Sequence, residues 1–356
     1  MQASSAPTRL TGNGVLGSLA ELAAAQGLTD FAGRLRLAQE LARMDLSSLT
    51  NELTRVRDDS VVERSAHHLL EAGGKRLRSL CLSLCAQLAP GANLKTVHDL
   101  AVAVELVHGA TLLHDDVVDL GDTRRGRPTA RTVYGNAASI FAGDWLLVDA
   151  LRRVRRHDLP GTLDGLLSTI DEMIAAEAVQ LEGRGRLRAD RDTYFAVVQG
   201  KTAALFRWAC GAGARAAGLP GPACAALESF GGHLGLAFQL ADDLLDFEGD
   251  GAHMGKAPFA DLREGKATFP LIVLLERDPS ARPLLEPFAR PDAEPGPDAV
   301  GAVLEAMARV RAADACRELA RAHVDAAVQQ LFSAVEPSPV REALAAVAMA
   351  AAYRDR

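Results

Sequence analysis

Aromatic residues are scarce in this 356-residue chain, at 4%. Runs of β-branched residues alternating with polar ones are scarce as well, which argues against a sandwich or barrel built from half-buried strands. The five cysteines form no CxxC pair and no Cys/His cluster, so nothing indicates a zinc module. Cys81 and Cys85, one helical turn apart, and Cys210, Cys224 and Cys316 read as buried reduced thiols of a cytoplasmic protein. Positive charge is not in excess. The formal net charge is −7, which argues against a nucleic-acid partner. No apolar run approaches the roughly 18 residues of a membrane span, so no transmembrane segment is expected. Met1 to Leu10 lacks the apolar core of a secretory leader and reads as a polar tail.

What the chain has in quantity is alanine and leucine, within 48% hydrophobic and 24% charged residues. Both are strong helix formers, and the expected fold class is all-α. Residues 1–30 read as a partly ordered tail with a short Ala/Leu helix over Leu16 to Ala25. Residues 31–356 read as one large helical domain, because no Pro/Gly/Ser linker and no fixed repeat divides them. Helices are predicted from Phe31 to Leu84 with a break at Gly73-Gly74, then over Val97–Leu120, Ala137–Arg153, Leu166–Glu182, Tyr194–Gly213, Cys224–Phe247 and Phe269–Leu275. Pro283–Pro297 is predicted to be an exposed loop, followed by two Ala-rich helices.

Two acidic clusters interrupt this apolar pattern. Asp115 and Asp119 are one helical turn apart, about 40° in projection, with Asp116 about 100° to one side. Asp242, Asp243 and Asp246 repeat the spacing. Carboxylates crowded on one helix face repel one another unless a cation is present, and oxygen-only ligands suit magnesium bridging to phosphate. A lone cluster of this kind reads more often as a solvated helix end. Two copies, each on an otherwise apolar helix and each followed by a glycine-containing basic loop, do not fit that reading.

Basic residues gather around the same places in sequence. Gly73-Gly74 leads into Lys75 and Arg78, spaced i, i+3 at a helix start that favours anions. Arg124 and Arg125 follow the first cluster, and their guanidinium forks match phosphate oxygens. Lys201, Thr202, Lys256 and Lys266 add further candidates. His108 lies two turns before Asp115 on the same face. Taken singly, each reads as a surface charge or a hydrogen-bonded core histidine; together they supply what two diphosphates need.

The stretches Gly-Gly-Lys-Arg-Leu-Arg (73–78), Leu-Leu-His-Asp-Asp-Val-Val-Asp (112–119), Gly-Lys-Thr (200–202) and Gln-Leu-Ala-Asp-Asp-Leu-Leu-Asp (239–246) resemble the trans-isoprenyl diphosphate synthases, over about Ala66 to Leu275. The resemblance implies a single bundle around a deep central cavity, a homodimer, and about three magnesium ions holding an allylic diphosphate (geranyl, farnesyl or geranylgeranyl) between the two aspartate motifs. Carried over, Asp115 and Asp119 would be the main ligands of the first motif, with Asp116 beside them. Asp242 would lead the second, with Asp243 and Asp246. Lys75, Arg78, His108 and Arg125 would hold isopentenyl diphosphate. Arg124, Lys201, Thr202, Gln239 and Lys256, with Lys266, would hold the allylic substrate. The chain departs from the family at Ser79, where proline is common, at Pro258-Phe259-Ala260-Asp261, and at Glu177 to Gln180.

The implied chemistry is ionisation of the allylic diphosphate, attack by the isopentenyl double bond, and loss of a proton to the departing diphosphate. A helical turn of about 5.4 Å is close to one isoprene unit. Ala110, Thr111, Val107, Val104 and Ala103, upstream of Asp115, are therefore expected to wall the growing tail. None is aromatic, and the Ala-Thr pair resembles long-chain synthases, so a product longer than fifteen carbons is expected and Ala110→Phe is expected to shorten it. Phe141 and Trp145 are candidate floor residues on a neighbouring helix. The alternatives are a twenty-carbon (geranylgeranyl) synthase, a terpene cyclase, which needs no isopentenyl site, and a non-catalytic modulating subunit, which usually lacks ligands in one motif.

Overall fold

The computed structural model describes residues 20–21, 23–24, 29–54, 59–183, 189–248, 259–263, 266–288 and 296–352. Its long helices are α1 (Thr29–Leu53), α2 (Val61–Glu71), α3 (Leu77–Ala86), α4 (Leu94–Val118), the short α5 (Ala130–Tyr134), α6 (Asn136–Arg155), α7 (Thr162–Gly183), α8 (Arg191–Val198), α9 (Ala204–Ala216) and α10 (Gly221–Glu248). These are followed by α11 (Ala260–Arg263), α12 (Phe269–Arg277), α13 (Arg282–Leu285), α14 (Pro297–Arg309), α15 (Ala312–Ala334) and α16 (Pro339–Ala352). Among the described residues the one sheet is a two-residue hairpin, Thr123–Arg124 paired antiparallel with Arg127–Pro128. The all-α expectation holds.

Capping sets several boundaries. The Ser60 side chain accepts from the Glu63 amide at the start of α2, Asn93 from Lys95 and Thr96 at the start of α4, and Asp190 from Thr193 at the start of α8. Such caps satisfy otherwise orphaned amides and stabilise by about 1 kcal/mol each. Helix α4 is buried along most of its length: Leu100, Val104, Val107, Ala110 and Leu113 have no exposed surface. Each fully buried Leu or Val side chain contributes about 1.5–3 kcal/mol. Helix α6 packs along α4; α10 is flanked by α9 and α15, and α3 packs on α9. Small residues allow these close approaches. A Cβ at Gly231 would lie 2.4 Å from the Phe206 carbonyl oxygen, and one at Gly213 would lie 2.3 Å from that of Leu82.

Helix α4 is long and apolar enough, by length and composition, to cross a membrane, and most of it is buried inside the bundle, as a core helix is. Two expectations need correction. Pro283–Pro297 is not simply an exposed loop, because α13 begins at Arg282 and both Leu285 and Phe288 are fully buried. The C-terminal region is closed by α14, α15 and α16 rather than two helices. Most of the short helix expected over Leu16 to Ala25 lies outside the described residues, though Ala20 and Ala23 are helical and buried.

Candidate active site

Both aspartate motifs lie at the C-terminal ends of long helices, α4 ending at Val118 and α10 at Glu248. The last turn of a helix carries unsatisfied carbonyls and the negative end of the helix dipole. Adding two or three carboxylates there makes each end strongly attractive to cations. The structure answers with lysines. Lys201 Nζ lies 3.4 Å from Asp115 Oδ2, and Lys266 Nζ lies 3.0 Å from Asp119 Oδ2. Lys266 sits between α11 and α12, so its bond to Asp119 joins that segment to the end of α4 across 147 residues of chain.

Local backbone features aim the basic groups. Lys201 and Thr202 fall within a π-helical turn, Gln199–Ala203, between α8 and α9. Such bulges add a residue to the helix and redirect side chains. Lys201 is also paired with Glu177 on α7. Burial raises the Glu177 carboxyl above its ordinary range, helped by nearby Asp115 and opposed by Lys201. Arg124 and Arg125 sit on the hairpin after α4. Arg125 (φ 53°) and Gly126 (φ 71°) are both left-handed, as a tight two-residue hairpin turn requires.

Asp116 is buried and takes Arg124 Nε and Nη2 on one oxygen, both at 2.9 Å. Burial raises its carboxyl against the pull of Arg124. Its other oxygen has no hydrogen-bond partner among the described residues.

A second basic group faces α4 from the turn before α3. Arg78 stacks on Phe206, 4.5 Å from the ring centre. The Arg125 guanidinium lies 3.2 Å from where a Cβ on Gly74 would stand. His108 is held neutral, first by burial and then by Arg78, Arg125, Arg76 and Arg124. Lys75 is exposed beside them. The four residues carried over to isopentenyl diphosphate therefore share one face.

The second motif divides internally. Asp242 is exposed. Asp243 is 2% exposed and its oxygens are occupied: Tyr194 Oη donates at 2.7 Å, Gln239 Nε2 at 2.9 Å and the Phe269 amide at 3.1 Å. Gln239 in turn accepts from Thr202 Oγ1 at 2.9 Å. Burial raises the Asp243 carboxyl to about 7, against those three donors. Asp243, expected above among the metal ligands, is enclosed, and these donors tie α10 to α8 and α12; Asp242 is exposed and Asp246 is half-buried with its Oδ2 enclosed. Asp243→Asn, which sets an amide against N–H and O–H donors, is expected to destabilise the fold by about 2–4 kcal/mol in thermal melts. Asp242→Asn, at an exposed position, is expected to cost under about 1 kcal/mol.

The wall residues separate similarly. Thr111 is partly exposed, on one stripe with His108, Leu112 and Asp115, and its hydroxyl donates to the His108 carbonyl. Ala110, Val107 and Val104 are fully enclosed in the core, as is Ala103. They form the backing of the stripe rather than its surface. Of the floor candidates, Phe141 is 60% exposed on the outer face of α6. Trp145 lines a small hollow with Leu53, Leu70, Val102, Leu106 and Leu146. Lys256 lies outside the described residues. Glu177 is a site residue that the sequence reading left unassigned; its only signal was a partial match to an acidic pattern.

Among the described residues no three carboxylates or imidazoles converge to hold a metal by themselves. Two cation-seeking helix ends stand beside guanidinium and ammonium groups, a charge pattern that suits an anionic ligand, and the oxygen donors at those ends are of the kind that hard cations take.

The comparisons agree with that class. Residues 59–307 match the polyprenyl synthetase family. The chain is 32% identical over 324 residues to octaprenyl diphosphate synthase of Escherichia coli, covering 90% of this chain and 99% of that protein. It is 34% identical to the geranyl-diphosphate-specific all-trans-nonaprenyl-diphosphate synthase of Rhodobacter capsulatus, over 86% and 93% of the two chains. A crystal structure of a Caulobacter crescentus polyprenyl synthase, complexed with calcium and isoprenyl diphosphate, superposes with a TM-score of 0.79 at 34% identity, covering 97% of this chain and 99% of that one. This chain belongs to the polyprenyl synthetase family.

Proposed function

We propose that this protein condenses isopentenyl diphosphate with an allylic diphosphate, using magnesium, to make an all-trans polyprenyl diphosphate longer than fifteen carbons. The observation that carries this reading is the pairing of two carboxylate-rich helix ends with two separate basic groups, one around Lys201 and Arg124 and one around Arg78 and His108. One diphosphate would need only one of them. The relatives above are named as octaprenyl and nonaprenyl synthases, which favours a long product over a twenty-carbon one.

Asp115, Asp119, Asp242 and Asp246 would hold magnesium. The donor set fits: all oxygen, at the negative ends of two helices, with lysines drawn to Asp115 and Asp119 and one buried Asp116 oxygen unsatisfied. Bound there, the metal supplies charge neutralisation of the leaving diphosphate. The protein's own groups do the rest. Lys201, Lys266 and Arg124 stabilise negative charge as the allylic C–O bond breaks. Arg78, Arg125, Lys75 and neutral His108 hold the second diphosphate so that its double bond faces the cation. His108 brings hydrogen bonds without adding charge beside that cation. The freed diphosphate takes the proton lost on forming the new double bond. The test is to size the dephosphorylated products made from farnesyl diphosphate and isopentenyl diphosphate. A ladder extending beyond twenty carbons supports the reading, and a product stopping at twenty would reassign it to a geranylgeranyl synthase.

We also propose a cytoplasmic homodimer. Phe141 and Val148 on α6, with Ile140 beside Phe141, and Leu167, Ile174 and Leu181 on α7 are exposed apolar residues at two-turn spacing on two helices that pack together. Such a double stripe suits a self-complementary interface. Ile174→Glu removes apolar burial from both copies and is expected to weaken the dimer about a thousandfold. Sedimentation should show monomer at micromolar concentration, and an unshifted dimer would place the interface elsewhere.

A further inference from the structure

Glu105 is an acid with no part in the chemistry above. It lies in the most apolar part of α4, is 3% exposed, and stands three residues before His108. A buried carboxylate is costly unless fully paired. Its pairing is specific. Oε2 accepts from Arg76 Nη1 at 2.9 Å; Oε1 accepts from Ser79 Oγ at 2.9 Å and from the Ser79 amide at 3.3 Å. Arg76 also donates to the Leu70 carbonyl at 3.3 Å, so it spans the turn from α2 to α3.

That turn is strained. Arg76 caps α3 in the left-handed region at φ 49°, a conformation that a long side chain adopts only when its surroundings hold it. Gly73, at φ 73°, opens the turn. Lys75 and Arg78 stand on either side of Arg76, and the orientation of both follows from its backbone. Four arginines also crowd this region: Arg76, Arg78, Arg124 and Arg125 all depress the His108 proton affinity. Glu105 pairs directly with Arg76, and its charge also offsets part of the crowding at Arg125, while Arg124 is taken by Asp116.

We propose that Glu105 is a positioning residue for isopentenyl diphosphate. It clamps the basic turn to α4 through Arg76 and Ser79, so that Lys75 and Arg78 converge with His108 and Arg125. Ser79 is this chain's own contribution. The proline common at that position has neither a hydroxyl nor an amide hydrogen to offer Glu105. The inference rests on reading this basic group as the isopentenyl diphosphate site.

The experiment is steady-state kinetics with both substrates varied, on the wild type and on Glu105→Gln, Ser79→Ala, Lys75→Ala and Arg78→Ala. Glu105→Gln keeps the volume and one acceptor oxygen but loses the charge. It is expected to raise KM for isopentenyl diphosphate at least tenfold while KM for the allylic substrate and kcat stay within threefold. Ser79→Ala, which keeps the amide, should raise the same KM about threefold. A general loosening of the fold would move both KM values and kcat together. If Lys75→Ala and Arg78→Ala raise KM for isopentenyl diphosphate but Glu105→Gln does not, the positioning role is overturned and the site reading stands. If neither lysine nor arginine matters for that KM, the site reading itself fails.

Discussion

Replacing Asp115 with alanine should lower kcat by about three orders of magnitude without unfolding the protein. Removing one preorganised charge partner from a developing anion costs about 10²–10³ in rate, and Asp115 here serves twice. It would hold metal, and it already orients Lys201, 3.4 Å away. Without it Lys201 retains, among the described residues, the Glu177 carboxylate on α7. Asp115 is partly exposed at the end of α4, outside the buried core, so its loss should leave the melting transition nearly unchanged. Asp115→Asn, which keeps shape but not charge, should be almost as inactive. Single-turnover release of diphosphate measures this without interference from product release. A variant within tenfold of wild type would remove Asp115 from the ionisation step.

The second large effect concerns length rather than rate. Thr111→Phe should collapse the products to about fifteen to twenty carbons, because Thr111 stands one turn, about 5.4 Å, from Asp115 on the same partly exposed stripe. An aromatic ring there meets the tail after its first additions. Ala110→Phe is a different experiment. Ala110 has no exposed surface, so a ring must force the core apart at a cost of about 1–3 kcal/mol, and any shortening comes with lost stability. Sizing the products of both variants and melting both proteins separates the two. Unchanged lengths in Thr111→Phe would mean that the tail takes another route.

The difference between those two positions shows what the sequence could and could not reveal. The spacing of Asp115, Asp119, Asp242 and Asp246, and the glycine and basic residues near them, are local signals with a direct chemical meaning. Helix positions were legible for the same reason: the apolar patterns of α4, α6 and α10 are written over 20 or more residues each. Burial within a motif was not legible. Asp242 and Asp243 look equivalent in sequence, yet one is exposed and the other is enclosed by Tyr194, Gln239 and Phe269 from three elements. Ala110 and Thr111 are neighbours whose faces diverge by about 100°. Phe141 and Trp145 are one turn apart, yet Phe141 faces outward from α6 while Trp145 lines the hollow beside α4. Glu105 and Glu177 carried no spacing signal, because their partners Arg76, Ser79, Lys201 and Asp115 come from other helices or turns and are brought together only by packing.

The proposed condensation requires that two diphosphates bind and that ionisation of one is coupled to attack by the other. The most direct test measures diphosphate release from farnesyl diphosphate and magnesium, with and without isopentenyl diphosphate, while counting isopentenyl units incorporated. One diphosphate should be released per unit added, with negligible release without isopentenyl diphosphate and loss of all turnover on chelating the metal. Rapid release without isopentenyl diphosphate, accompanied by a cyclic hydrocarbon, would contradict it and make the protein a cyclase.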